Sequence, residues 1–375
     1  MILKLNIVLY LVSLVFGDHY TPGLDEYLLQ ALSPTVRSLK GHLFDEPAHI
    51  LNAPTKTNRN KLPTLDQMMY YNYYSVATYY GYDHANLTCK YCLKFRDDVA
   101  DHTVLNSNVH NTLALITRSK IRKEIVVAFR GTWNIWNTVL DILLYLGKSL
   151  KAARRIKINK AIYVATMSLY DDVLRTVTDL RNENASFKIV LTGHSLGGAI
   201  ARLTYFLFTN RRLFPGVEFE LYTYGEPRVG NKYFAEFMNQ QPITTVRVVA
   251  RYNTYRADPI PHVMLSTTKL VSGHYVHPQT EFWINGRAGQ RFCSRTVYED
   301  PKCSMSVRPA YSILDHFFYF DTNLATAFGQ PFIYAYLPFN LLNPVERIPP
   351  LPKRVEHFIG GLTGGFAGAI VPSFG

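Results

Sequence analysis

A serine at residue 195 is the side chain in this sequence best suited to nucleophilic chemistry, because it lies in the stretch GHSLG (193–197). A β-branched apolar run precedes this stretch and a second apolar run follows it, a pattern typical of a strand, a tight turn and a helix. In such a turn Ser195 projects its hydroxyl outward, while Gly193 and Gly197 avoid collisions between the crossing strand and helix. The backbone amide of Leu196, at the start of the helix, would then stabilise an oxyanion. A nucleophile is therefore a better interpretation than a chance pentapeptide.

A serine nucleophile needs a general base, and the base needs a carboxylate that orients it. Asp258 is the favoured carboxylate, because the Pro-Ile-Pro that follows it stiffens its loop. Glu226 and Asp315 compete with it. Asp315 adjoins His316, however, and would point away from that ring along an extended chain.

Four histidines follow the serine and are candidate bases: His262, His274, His277 and His316. His262 comes only four residues after Asp258 and is poorly placed to lie across from it. The other early pair, at 274 and 277, lies in a polar stretch and is expected to be solvated. The residues alone leave the choice of base open.

Apolar runs of alternating type predict an α/β fold with a largely parallel central sheet. Two β-branched runs joined by a charged turn, at 112–120 and 123–131, predict a hairpin. The remaining predicted helices cover 65–82, 168–181 and 196–208, and the remaining predicted strands cover 187–191, 218–227 and 244–252. These elements are the frame that must position the serine and its partners.

Composition restricts the class of protein. The chain has 375 residues, of which 47% are hydrophobic and 18% charged, so it can bury a sizeable core. Its formal charge of +12 raises the possibility of nucleic acid, but no zinc-finger spacing, RNA-binding aromatic motif or long basic tract accompanies it. We therefore expect no nucleic-acid partner, and an anionic lipid surface suits the charge better.

The two ends of the chain predict export and a poorly structured periphery. Residues 1–17 carry one cation and an apolar run shorter than the ~20 residues that span a bilayer, which favours a cleaved secretory signal over a membrane anchor. Residues 18–60 mix proline, asparagine and charge, and predict a loosely structured lead-in. Residues 331–375 are rich in proline and glycine and predict a tail.

Cysteines and acceptor asparagines agree with a secreted protein. The four cysteines are expected to pair as near neighbours in an oxidising compartment: Cys89–Cys92 and Cys293–Cys303. A redox motif and half of a zinc site are alternative interpretations of the C-x-x-C spacing, but no second ligand pair lies nearby. Asn86 and Asn184 begin N-x-S/T motifs for glycosylation.

Five stretches recur in the order of a known family: VVAFRGT (126–132), VLTGHSLGGAIARL (190–203), LYTYGEPRVGN (221–231), ADPIPHV (257–263) and ILDHFFYF (313–320). Together they resemble the fungal-type class 3 lipases, secreted α/β-hydrolase-fold enzymes with a Ser–Asp–His triad and a helical lid. The resemblance covers roughly residues 65–325 and is far more specific than the pentapeptide alone. It implies a catalytic domain over residues 61–330.

The resemblance implies a role for each of five residues. Ser195 is the nucleophile, His316 is the general base, and Asp258 orients the base. The hydroxyl and amide of Thr132 and the amide of Leu196 form the oxyanion hole. The mechanism requires neither a metal nor an organic cofactor.

The segment at about 133–147 resembles the family's lid, which covers the pocket in water and turns its apolar face to lipid. Its apolar residues recur at helical intervals: Ile135, Trp136, Val139, Leu140, Leu143 and Leu144. A lipid surface removes the cost of exposing them, about 25 cal/mol per Å². A basic run without acids follows, and we expect it to hold anionic lipid: Lys148, Lys151, Arg154, Arg155, Lys157 and Lys160. Residues 159–162 read NKAI where the family commonly has His-x-Gly-Phe, which leaves substrate size open.

The family resemblance implies a secreted, monomeric triacylglycerol lipase that works at a lipid–water interface. A phospholipase A1 or a broad carboxylesterase could use the same triad, and the basic run favours the former of these. From a different class, the chain could be an inactive lipid-binding relative. An intact triad argues against inactivity.

Overall fold

The computed structural model describes residues 62–80, 86–108, 111–131, 149–151, 155–252, 257–263, 275–286, 289–295, 298–307 and 313–327. The expected signal, lead-in, lid and tail all lie outside the described residues, and so do Thr132 and His274. Four of the six cations in the basic run, Lys151, Arg155, Lys157 and Lys160, have a described backbone.

Twelve strands occur in the described part of the chain. In chain order they are β1 (Asp101–Ser107), β2 (Thr112–Ser119), β3 (Glu124–Phe129), β4 (Ser149–Lys151), β5 (Lys157–Asn159), β6 (Lys188–His194), β7 (Phe219–Tyr224), β8 (Thr244–Arg251), β9 (Glu281–Asn285), β10 (Gln290–Phe292), β11 (Phe318–Tyr319) and β12 (Thr322–Asn323). Eight of them form one sheet in the order β1-β2-β3-β6-β7-β8-β9-β10. The five strands from β3 to β9 in this order are parallel, and antiparallel partners flank them on both sides. The largely parallel sheet and the hairpin of β2 and β3 are as predicted.

Four α-helices are described: α1 (Leu65–Ala77), α2 (Lys160–Glu183), α3 (Leu196–Asn210) and α4 (Lys232–Gln240). Helix α1 begins with a capping box, in which Thr64 Oγ1 accepts from the Gln67 amide at 3.2 Å and Gln67 Oε1 accepts from the Thr64 amide at 2.9 Å. It ends at Ala77, earlier than the predicted 65–82.

Helix α2 begins well before the predicted start at 168, because Asn159 caps it. The side-chain oxygen of Asn159 accepts from the amides of Ala161 at 2.8 Å and Ile162 at 3.1 Å. The departure NKAI therefore has a local structural role: its asparagine satisfies donors at a helix N-terminus that would otherwise lack partners.

The core has two layers, one on each face of the sheet. Alternate residues of β3 point to opposite faces: Ile125 and Val127 join the cluster that contains α2 and α3, while Val126 and Ala128 join the cluster under the tyrosine-rich α1. A parallel sheet covered on both faces explains why its strands are almost continuously apolar. None of the described helices is both long and apolar enough to cross a membrane.

Both cysteine pairs form disulfides, Cys89–Cys92 and Cys293–Cys303. They are the near-neighbour pairs expected from the sequence. The oxidised C-x-x-C pair leaves no free thiolate for the zinc alternative.

Candidate active site

The serine turn connects β6 to α3 directly. Ser195 has φ of 59° and ψ of −131°, a left-handed conformation that non-glycine residues rarely adopt. Its amide donates to the Tyr224 carbonyl on β7 at 2.8 Å, and its side chain makes no capping hydrogen bond to α3. The hydroxyl is therefore not committed to the helix and is available for chemistry.

Close packing around the turn requires its glycines. A Cβ built on Gly193 would lie 2.3 Å from the carbonyl carbon of Gly197, and one built on Gly197 would lie 2.1 Å from the Phe129 carbonyl oxygen. Both neighbours are backbone atoms that cannot move aside. The two glycines are thus needed for strand, turn and helix to approach one another.

Asp258 and His316 form a fully buried hydrogen-bonded pair. His316 Nδ1 lies 2.8 Å from Asp258 Oδ2, and both side chains are 0% exposed. Since a carboxylate accepts, Nδ1 carries the proton and donates, which leaves Nε2 as the basic nitrogen. Among the described residues His316 Nε2 has no hydrogen-bond partner. Nε2 therefore makes no hydrogen bond to Ser195 Oγ in this structure. A general base must reach the proton that it abstracts, and in unliganded enzymes this contact often tightens only when substrate binds.

Two further donors hold the Asp258 carboxylate. The Tyr319 hydroxyl donates to the same Oδ2 at 2.6 Å, and the Ile260 amide donates to Oδ1 at 2.9 Å. Burial, together with the charge of Asp258, raises the pKa of Tyr319 well above its ordinary value, so the phenol stays a donor. Because both oxygens of the Asp258 carboxylate accept hydrogen bonds, the orientation of this carboxylate relative to the His316 ring is fixed.

The carboxyl ends of three adjacent parallel strands bring these groups together. Ser195 follows β6 and bonds to the last residue of β7, and the Asp258 amide donates to Ala250 on β8 at 3.3 Å. The next residue after β7 is Gly225, and the His316 ring lies against it so closely that a Cβ there would be 2.7 Å from Cε1. Ser195 and His316 are thus both seated at the end of β7. In open α/β sheets this edge is where ligands bind.

His194, inside the serine motif, is a functional candidate that sequence reasoning missed. Its Nε2 lies 2.7 Å from the His316 carbonyl oxygen, and its Nδ1 lies 3.1 Å from the Tyr79 hydroxyl. Since a carbonyl only accepts, Nε2 donates and Nδ1 accepts from the tyrosine. Burial, together with the neighbouring His316, lowers the pKa of His194 well below its ordinary value, so the ring stays neutral. His194 thereby connects the serine turn to the segment that carries His316, residues 313–320, the histidine loop.

Strand β3, which precedes the expected oxyanion residue Thr132, also ends beside Ser195. A Cβ on Gly131, which follows β3, would lie 3.1 Å from Ser195 Cβ. Thr132 is the next residue and lies outside the described residues, whereas Leu196 is the first residue of α3. Arg130 holds this segment in place, because its guanidinium donates to the Asn111 carbonyl at 3.0 Å and to the Asn111 side-chain oxygen at 2.7 Å.

The competing carboxylates are engaged elsewhere. Glu226 is buried in an ion pair with Arg202, whose Nη2 donates to Oε2 at 2.7 Å. Asp315 Oδ2 accepts from the Tyr252 amide at 3.1 Å. Neither carboxylate takes the place of Asp258 on the His316 ring.

The competing histidines differ from expectation in one respect. His277 is buried, not solvated as its polar surroundings suggested, and its Nε2 lies 2.9 Å from the Pro261 carbonyl. Burial and the charges of Arg247 and Arg228 lower its pKa well below the ordinary value. His262 lies in the short helix Ile260–His262 next to Asp258, and burial lowers its pKa to about 4. Both rings are therefore neutral near pH 7.

One group of side chains in the described residues has the spacing of a metal site, but its chemistry does not fit one. Glu281, Cys293 and Cys303 place ligand atoms within 4.8 Å of one another. Both sulfurs are joined in a disulfide, and the Glu281 carboxylate already binds Arg247 at 2.5 Å and the Ser304 amide at 3.0 Å. A disulfide sulfur is a poor ligand compared with a thiolate.

Comparisons with known proteins agree with this geometry. The family model "Lipase (class 3)" matches residues 126–268. A lipase from Rhizopus niveus is 31% identical over 238 residues, which are 63% of this chain and 57% of that protein. A secreted mono- and diacylglycerol lipase from Fusarium solani is 34% identical over 173 residues, 46% of this chain and 47% of that protein. The chain thus spans less than two thirds of the length of these curated relatives.

A solved structure extends the likeness to the fold. A triacylglycerol lipase whose catalytic centre is described as a serine protease triad aligns with a TM-score of 0.62 and 26% identity. The alignment covers 71% of this chain and 99% of that one. The parallel sheet, the serine turn and these matches lead to one conclusion: the chain has the α/β-hydrolase fold of the fungal lipases and is similar to the class 3 lipase family over residues 126–268.

Proposed function

We propose that this protein is a serine ester hydrolase that acts on acylglycerols through an acyl-enzyme. The observation that carries the proposal is the buried His316–Asp258 pair, with a free Nε2, at the strand edge where Ser195 leaves β6. This arrangement supplies a nucleophile, a base and a fixed orienting carboxylate. Neutral His194 and His277 do not compete for the proton.

The reaction proceeds in two halves. Ser195 Oγ attacks the ester carbonyl carbon while His316 Nε2 takes the hydroxyl proton, and the resulting oxyanion is held by the Leu196 amide and by Thr132. Collapse breaks the ester C–O bond, and His316 returns the proton to the leaving glycerol oxygen. Water then attacks the acyl-enzyme, again with His316 as base, and the fatty acid leaves. Asp258 stabilises the imidazolium that forms in each half.

Acylglycerols are the substrates of choice because the related proteins are named for them and the expected lid is strongly apolar. The Fusarium solani relative is named for mono- and diacylglycerols, and the aligned structure for triacylglycerol. The expected lid, 133–147, begins two residues after Gly131, which lies against Ser195. A lid hinged there would cover the serine in water. We place the protein outside the cell, as its secreted relatives imply.

Substrate class is tested by comparing hydrolysis of emulsified triolein, phosphatidylcholine vesicles and a soluble short-chain ester, with Ser195→Ala as the control. The account predicts release of fatty acid from triolein at a rate that rises when an interface forms. Faster cleavage of phosphatidylcholine would favour the phospholipase A1 alternative, and preference for the soluble ester would favour a broad carboxylesterase. An active Ser195→Ala variant would refute the nucleophile.

The basic run supports a finer proposal, attachment to anionic lipid. Lys157 is exposed on β5, whereas the Arg155 guanidinium stacks over the Tyr233 ring at 4.2 Å. We expect Lys157→Glu to weaken binding to vesicles that contain phosphatidylglycerol, and rising salt to remove the difference. Lys120→Glu, an identical charge change at the exposed turn after β2, is the matched control. Equal binding by the two variants would contradict the proposal.

A further inference from the structure

Within the described part of the chain, the loop that carries Asp258, residues 257–263, is hydrogen-bonded to the sheet through its backbone at its first residues. The Asp258 amide donates to Ala250 on β8 at 3.3 Å, and the Ile260 amide closes a turn on Asp258 Oδ1 at 2.9 Å. Both contacts lie at the start of the loop. Its far end, at Pro261 and Val263, needs other support if the carboxylate is to stay in place.

Two buried side chains from distant parts of the chain supply that support. His277 Nε2 donates to the Pro261 carbonyl at 2.9 Å, and Arg228 Nη1 donates to the Val263 carbonyl at 2.8 Å. Arg228 comes from the GEPRVG stretch after β7, and its side chain is 0% exposed. The acid loop is therefore held at two carbonyls, those of residues 261 and 263, by buried side chains from outside the loop.

Glu299 joins these two residues through the side chain of Arg228 and the backbone of His277. Its Oε1 accepts from Arg228 Nε at 2.5 Å and from the His277 amide at 3.2 Å. Burial alone would raise the pKa of Glu299, but the charge and hydrogen bonds of Arg228 and the amide of His277 lower it below the ordinary value. The carboxylate is thus charged and neutralises the buried guanidinium.

The disulfide loop Cys293–Cys303 holds Glu299 in this place. Glu299 has φ of 50°, a conformation that non-glycine residues adopt at a cost when other contacts enforce it. Asp300, the next residue, accepts from the amides of Ser294 and Lys302, both at 2.9 Å, and so closes the loop on itself. Glu299 is the residue of this loop that binds the Arg228 guanidinium.

We propose that Arg228, His277 and Glu299, the acid-loop strut, are positioning residues for catalysis. They act through the acid loop: the strut fixes the carbonyls at 261 and 263, the loop fixes Asp258, and Asp258 orients His316. None of the three touches the reacting atoms. The inference rests on the proposed function, and it assigns the disulfide loop a part in that reaction.

The test compares Glu299→Gln and Glu299→Ala with Glu220→Gln. Glu220 is a buried carboxylate that pairs with Lys188 at 3.0 Å, at the amino ends of the strands and far from the acid loop. We measure kcat and KM on a soluble short-chain ester, together with the urea midpoint of unfolding. We expect kcat to fall roughly tenfold or more in Glu299→Ala and less in Glu299→Gln, which keeps an acceptor oxygen, with KM within about twofold. Glu220→Gln is expected to lose stability but keep kcat.

A spectroscopic measurement separates positioning from general destabilisation. The His316 Nδ1 proton, bound to Asp258, gives a low-field resonance that is absent in His316→Gln. If the strut positions Asp258, the resonance of the His316 Nδ1 proton should be shifted or broadened in both Glu299 variants and unchanged in Glu220→Gln. The inference is overturned if the resonance is unchanged in the Glu299 variants, or if kcat falls equally in all three variants. Activity that survives in Ser195→Ala would instead overturn the proposed function itself.

Discussion

Gly225 offers the most direct structural test of where the base sits. It follows β7 with φ of 59°, and the His316 ring lies over it. A Cβ at this position would lie 2.7 Å from His316 Cε1 and 2.8 Å from both Nδ1 and the Tyr319 hydroxyl. Carbon atoms in contact normally stay about 3.5–4.0 Å apart, so Gly225→Ala must displace the ring by about 0.8 Å or more.

A displacement of that size is large on the scale of catalysis. Misplacing a reacting group by about 1 Å costs about 10²-fold in rate, so kcat of Gly225→Ala should fall by roughly two orders of magnitude. The left-handed backbone adds about 1–2 kcal/mol of destabilisation for any side chain. KM for a small soluble ester should change little, because no substrate contact is removed.

Gly216→Ala is the matched control for the cost of placing a side chain on a left-handed backbone. Gly216 has φ of 75°, and nothing lies within 4 Å of a Cβ built on it. It therefore carries the same conformational penalty without the collision. Steady-state kinetics on a soluble ester and urea unfolding, run on both variants, should give a similar backbone cost but a loss of kcat confined to Gly225→Ala. If both variants kept wild-type kcat, His316 would not be acting as the base from its position against Gly225.

Three further outcomes are expected. Tyr319→Phe removes a hydrogen-bond donor from the Asp258 carboxylate, so the free energy of unfolding should fall by about 1.5–3 kcal/mol, and ester turnover should also fall. Wild-type stability and turnover in this variant would show that the hydrogen bond contributes to neither. His194→Leu strands a buried carbonyl on the histidine loop and should cost about 1–3 kcal/mol in urea unfolding, while His194→Gln, which keeps a donor, should cost less. If the protein is secreted, peptide mapping should find more glycan on exposed Asn86 than on Asn184, because the Asn184 amide nitrogen already donates to a helix carbonyl at 2.9 Å. Higher occupancy at Asn184 would contradict this prediction.

Sequence patterns predicted the elements that carry strong local signals. The β2–β3 hairpin, the strand–turn–helix around Ser195 and the strands β7 and β8 are rich in apolar and β-branched residues, and each forms about where predicted. Strand β1 was not predicted, because its sequence DHTVLNS lacks an apolar run and its residues at the sheet edge are only partly buried or exposed. Strand β10, three mostly exposed residues, carries even less signal.

Tertiary packing decided the features that the sequence could not predict. His277 lies in a polar stretch, so composition alone predicted a solvent-exposed side chain. This prediction is wrong, because the side chain is buried against the acid loop. His194 occupies the variable position of the serine motif, and only the folded chain brings its Nε2 to the histidine loop. Glu299 had no motif at all. Its partner lies 71 residues away, a distance across which no local pattern carries information.

Covalent trapping asks whether Ser195 is the residue that attacks the ester and whether His316 activates it. The protein is treated with an alkyl phosphonate ester that mimics the tetrahedral intermediate, digested and mapped by mass spectrometry, beside Ser195→Ala and His316→Ala. The account predicts one phosphonyl adduct, on the peptide that contains Ser195, absent from Ser195→Ala and formed far more slowly in His316→Ala. An adduct on any other residue, or labelling of His316→Ala at the wild-type rate, would contradict it.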